Sequence, residues 1–123
     1  MKRLVVEIGA GVDQHGQDPT RAAVKAVKDA TARVCLVGLK EVIGLEDLDD
    51  MVVEILVAVP NPERVRAEEV MGAIPFGRKS LRAVNGGMIA KGIKMLELAD
   101  QSDDILVANA SVTVMLEERV HGR

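Results

Sequence analysis

Leu4-Val5-Val6-Glu7-Ile8 is short, apolar and rich in β-branched residues, as a buried strand should be. A glycine-rich polar stretch, Gly9 to Pro19, follows it. The period then becomes helical: Ala22, Ala23, Ala26, Val27 and Ala30 share one face, with Arg21, Lys25 and Lys28 largely outside it. Asp18 reads as an N-cap and Pro19 as a first helical residue, which predicts a helix from Pro19 to about Val34. The apolar run continues to Val37, where Gly38 is expected to stop the helix. Lys40 to Asp50 is a connection with an acidic end, read as a solvated run. Met51 to Val59 is the clearest strand, with Val53, Ile55, Val57 and Val59 on one face and Val52, Glu54, Leu56 and Ala58 on the other.

Asn61-Pro62 repeats the cap-plus-proline signal and predicts a short charged helix from Pro62 to about Met71, ended by Gly72 and Pro75. Leu81 to Ile89 reads as a strand broken by Asn85-Gly86-Gly87, a bulge or a point of close approach. Ala90 to Ala99 suggests a short helix and Asp100 to Asp104 a polar turn. Ile105 to Met115 is the last strand, with Ala108, Ala110, Val112 and Val114 on one face and Asn109, Ser111 and Thr113 on the other. That half-polar alternation fits helices on one side of the sheet only. The predicted class is α+β, with helices packed on one face of a mixed sheet. Glu7 and Glu54 are lone acids in apolar strands; each lies at a wet edge of the sheet or in a site, and the first is preferred.

Composition narrows the function classes. The 123 residues suit a single domain over 1–123, with 116–123 as a flexible tail in which His121 has no expected role. Apolar residues make up 48% and aromatics 1%, so the core must be aliphatic, and Phe76 is the one ring besides the two histidines. Few rings and a net charge of −3 argue against nucleic-acid binding. The lone cysteine, Cys35, cannot form an intramolecular disulfide and reads as a small core residue. No stretch approaches membrane-spanning length, and the expected location is cytoplasmic.

The candidate chemistry gathers in Gly9-Ala10-Gly11-Val12-Asp13-Gln14-His15-Gly16. Dinucleotide binding is rejected, because Gln14 stands where the third glycine of that fingerprint belongs; no Gly-Lys-Ser/Thr follows for a phosphate loop either. Asp13 and His15, two residues apart, would point the same way in an extended segment and could serve as acid and base or as two ligands of a divalent metal. Gly9, Gly11 and Gly16 would shape the loop for a ligand, with Asn85, Gly86 and Gly87 lying across from it. The helix start would favour anions. Arg78, beside Lys79, is a second place for a carboxylate or phosphate to bind.

The segment 9–16 fits G-x-G-x-D-x-H-G at every fixed position. In this the chain resembles the lin-type conserved hypothetical proteins of bacteria and plants. Val59-Pro60-x-Pro62-Glu63, Gly86-Gly87 and the final apolar strand follow in a similar order. The resemblance implies a grouping with the C-terminal domain of tubulin and a chorismate-mutase-like core, β-α-β-α-β-β. It carries over no GTPase activity. Similar folds often assemble as trimers with sites between subunits, so a homo-oligomer is expected. The cyanuric-acid and barbiturate amidohydrolases look like three such domains in a ring and use serine and lysine. Ser80, Ser111, Lys79 and Lys91 match none of their motif positions. The expected function is therefore a small-ligand or metal site on the glycine loop at a subunit interface. If catalytic, it would hydrolyse or isomerise a small polar anion. The alternative is a non-catalytic assembly domain whose glycine loop packs between subunits.

Overall fold

A computed structural model describes residues 1–15 and 17–117; Gly16 and the expected tail residues 118–123, His121 among them, lie outside the described residues. The architecture is α+β, with a five-stranded mixed sheet carrying its helices on one face. The strands are β1 (Lys2–Asp13), β2 (Val52–Ala58), β3 (Arg78–Val84), β4 (Met88–Lys91) and β5 (Asp104–Leu116). The α-helices are α1 (Pro19–Thr31), α2 (Val37–Glu41) and α3 (Ala67–Met71). The order across the sheet is β1-β5-β2-β3. β5 is antiparallel to β1 and β2, and β2 is parallel to β3. β4 continues along β5 where β2 ends: Ala58 faces Asn109, and Met88 faces Val107.

The alternation in β2 and β5 places their residues as expected. Val53, Ile55, Val57, Ala108, Ala110, Val112 and Val114 are buried with Val59 against α1 and the loops beside it. Among the described residues the largest fully buried side chains are valine-sized, as a chain almost without rings requires.

β1 is longer than expected. It runs through Gly9 and Gly11 to Asp13, because both glycines pair with β5, opposite Ala110 and Ala108. A Cβ on Gly9 would stand 2.3 Å from the Ala30 backbone nitrogen, and one on Gly11 would stand 2.3 Å from that of Ala26. The missing side chains let the alanine face of α1 lie directly on the strand. The outer edge of β1 is tied to the same helix: Ala10 N–H donates to Asp29 at 2.9 Å, and Lys25 donates to the Val12 carbonyl at 3.0 Å. Such side-chain caps blunt an open strand edge.

Other boundaries shift for local reasons. α1 stops at Thr31, short of Val34, and Gly38 lies inside α2 rather than ending a helix. The predicted helix from Pro62 splits into a 3-10 turn, Pro62–Arg64, and α3, with Val65 and Arg66 extended between them. Asn85-Gly86-Gly87 is a change of partner strand and not a bulge. Gly87 has a φ of 62°, and a Cβ there would meet the Val107 carbonyl at 2.0 Å. The expected helix from Ala90 to Ala99 is absent; Ala90 and Lys91 belong to β4, and one 3-10 turn covers Leu96–Leu98. In the acidic run, Asp47 accepts from Asp49 N–H and closes a turn, and Asp49 accepts from Gly77 N–H and ties the run to the loop before β3. No described helix is long and apolar enough to cross a membrane.

Candidate functional site

On the helix-facing side of β1 the sequence places an acid on either side of a glycine pair: Glu7, Gly9, Gly11 and Asp13, all buried. The glycines lie beneath α1. The acids lie beyond its two ends.

At the far end, Asp13 is 3% exposed and accepts the Asp18 backbone N–H at 2.9 Å. Asp18 in turn caps α1 by accepting from Thr20 N–H, and Arg66 reaches its other oxygen at 3.1 Å. The positive end of the α1 dipole thus faces the chain's own carboxylate. Burial pushes the Asp18 carboxyl up, but the Arg66 guanidinium and the Thr20 N–H together bring it below its usual value.

His15 does not pair with Asp13. Its Nδ1 lies 2.9 Å from Oδ2 of Asp100, a residue 5% exposed and 85 positions away in the chain. The same Oδ2 accepts the Met95 N–H at 2.7 Å. Burial raises the Asp100 carboxyl; the His15 bond, the Met95 N–H and the charges of His15 and Lys94 outweigh it and hold the group below its usual value. An ionised carboxylate only accepts, so Nδ1 must be the donor, and in the neutral ring Nε2 carries the free lone pair. The imidazole is 39% exposed, which leaves that nitrogen within reach of a small molecule.

The two loops that bring this pair together are cross-tied and strained. The Gln17 side chain donates to the Asp104 carbonyl at 3.1 Å and accepts from Gln101 N–H at 3.3 Å. Gln17 (φ 48°) and Ala99 (φ 61°) both hold left-handed backbone without being glycine, and they flank His15 and Asp100 respectively. Strain of that kind persists only where surrounding contacts impose it, and it gathers at functional sites.

The remaining expected site residues fall in three places. Gly86 and Gly87 lie at the same end of the sheet as Asp13, since Val12, Val107 and Met88 form one row across three strands. Arg78 opens β3 opposite Val52, at the other end of the sheet from His15. Gly16 lies outside the described residues. Among the described residues no group of three or more His, Cys, Asp or Glu side chains is arranged to hold a metal ion.

Sequence reasoning missed Asp100, reading its surroundings as an ordinary turn. The available signal was topological: a polar turn just before β5 must lie beside the end of β1 if the two strands pair. It also misplaced Glu7, which is 7% exposed and not at a wet edge; Glu54 is exposed as expected.

Fold and site together define a compact α+β domain with a histidine–carboxylate pair at one end of an open-faced sheet. The chain belongs to the family described as conserved hypothetical protein (Lin0512_fam), which matches residues 3–114. It is similar to a solved structure, an FtsZ-like protein of unknown function from Nostoc punctiforme. Sequence identity is 51% over 95% of this chain and 97% of that one, with a TM-score of 0.87. No curated protein matches the chain.

Proposed function

We propose that this protein is an enzyme acting on a small polar molecule, with His15 as the group that exchanges the proton. The carrying observation is the 2.9 Å contact between Nδ1 and a buried carboxylate that also accepts the Met95 N–H. A carboxylate in that position fixes the tautomer, aims the ring and steadies the imidazolium when Nε2 takes up a proton. Lys94 is near enough to act on Asp100 and favours an anionic substrate. Hydrolysis or isomerisation of a small anion fits this equipment. Asp13 positions the loop through Asp18 N–H and is not the proton carrier.

The test is a panel of small carboxylates and activated esters assayed for turnover with the parent and with His15→Gln. The reading expects a drop of about a hundredfold or more, as for loss of a positioned general base. Turnover equal in the two proteins would overturn it.

A second reading, a homo-oligomeric assembly domain, is favoured by the uncovered sheet face. Val6 (46%), Ile8 (66%) and Met88 (58%) are exposed there and flank the polar residues of β5. Gly9 and Gly11 would not be its contact, since α1 covers them. Sedimentation of Ile8→Asp against the parent tests it: a smaller particle is expected, and an unchanged one removes the reading.

A further inference from the structure

Glu7 lies six residues before Asp13 on β1, just past the C-terminal end of α1, where the helix no longer covers the sheet. A cavity of about 600 Å³ opens there, bounded by Thr31 and the segment after it, by Met51 and Val53, and by the turn from Ala73 to Phe76. That volume lies within the usual range for small-molecule sites. Its walls are mostly aliphatic. Glu7 lines it, is 93% buried by difference from its 7% exposure, and its Oε2 has no hydrogen-bond partner.

A buried carboxyl oxygen without a partner costs free energy, and natural chains keep few of them. Here the neighbours that could satisfy it from the sheet are Val53, Val112 and Val114, which offer no side-chain donor. A group held buried and unpaired beside an apolar space of ligand size is suited to recognise a donor brought in from outside. The strongest such donor is a cation, because charge-assisted bonds to carboxylate exceed neutral ones. The rim strengthens the assignment: Val37 (58%) and Phe76 (44%) are exposed, giving a hydrocarbon body a surface to cross and cover.

We propose that this cavity binds an apolar amine, a small molecule with one ammonium head and a hydrocarbon body, and that Glu7 receives the head. The site is separate from the His15–Asp100 pair, whose residues do not line it.

Calorimetric titration of the full chain with hexylamine, hexanol and hexanoate tests this. The three share a body and differ in the head. Hexylamine should bind about tenfold or more tightly than hexanol, the difference expected of one charge-assisted bond, and hexanoate should bind most weakly. Glu7→Gln should remove the amine's advantage and leave hexanol binding unchanged. Ala73→Phe, which fills the cavity from its wall, should weaken both amine and alcohol. Absence of hexylamine binding, equal binding of amine and alcohol, or an amine affinity untouched by Glu7→Gln would each overturn the proposal. Circular dichroism of both variants guards against misfolding, and Lys40→Met, which removes a cation from the rim, should leave the amine's advantage intact or enlarge it; its loss would count against Glu7 as the receptor.

Discussion

The two ends of one strand face treat a buried acid in opposite ways. Asp13 and Glu7 stand on the same side of β1, separated by the glycine pair, and both are more than nine-tenths buried. At the Asp13 end the loops supply donors: Asp18 N–H for Asp13, and Met95 N–H with the His15 ring for Oδ2 of Asp100, whose Oδ1 is left buried without a partner. At the Glu7 end the mostly aliphatic walls give Oε2 no hydrogen bond, the Thr31 hydroxyl being turned to its own helix, and burial raises the carboxyl above its usual value. Burial alone therefore does not say what an acid is for. The donors around it say more: Asp100 ties two loops together through one oxygen, whereas Oε2 of Glu7 has no hydrogen bond to the elements around it.

The comparison breaks most severely if the spacer between the two ends is altered. Gly9→Val drives side-chain atoms into the α1 backbone at Ala26 and Ala30, where nothing flexible can yield. A loss of about 3 kcal/mol or more in urea unfolding is expected, above that of ordinary overpacking. Asp100→Ala comes next. It strands the Met95 N–H and frees the His15 ring, so the melting temperature should fall by several degrees and turnover should fall with it. Stability due to Asp100 is held above the ordinary carboxylate range and lost as pH falls through its lowered value, so parent and variant should converge in acid.

Glu7→Gln should move stability the other way. The folded chain holds the Glu7 proton more tightly than the unfolded chain, so stability due to this group is greatest in acid and falls as pH rises. The variant should match the parent near about pH 4 and exceed it by roughly 1 kcal/mol near about pH 8. A variant less stable than the parent at the higher pH would erase the contrast between the two ends. The smallest structural effect belongs to His15→Gln, within about 0.5 kcal/mol of the parent, because the ring is half exposed. If the proposed function holds, its large effect falls on turnover, which would separate chemistry from scaffolding.

Much of this was legible beforehand. The inner faces of β2 and β5 follow from simple alternation, and α1 follows from its alanine period and Asp18-Pro19. β1 reads short from its sequence because glycine carries no apolar signal; Gly9 and Gly11 resemble a loop until the helix resting on them is seen. The same mistake turned Asp13 into a partner for His15. Asp100 was hidden by distance, since no local period links positions 85 apart. Glu7 was misjudged because a carboxyl among β-branched residues is usually at an edge, and only the path of the 32–50 segment over the sheet decides otherwise. The break between β3 and β4 was signalled by Asn85-Gly86-Gly87, but its meaning depended on where β2 ends along β5.

The pairing of Lys2 with Leu116 sets a condition on how the molecule comes into being. β5 is the ladder partner that completes β1, and roughly a hundred residues separate them, so this is contact of high sequence separation and slow closure. During translation at about 5 to 20 residues per second, β1 waits some 5 to 20 seconds for its partner to emerge. Through that interval Leu4, Val6 and Ile8 sit on a nascent chain with no strand beside them, and the edge they form is open to wrong pairing.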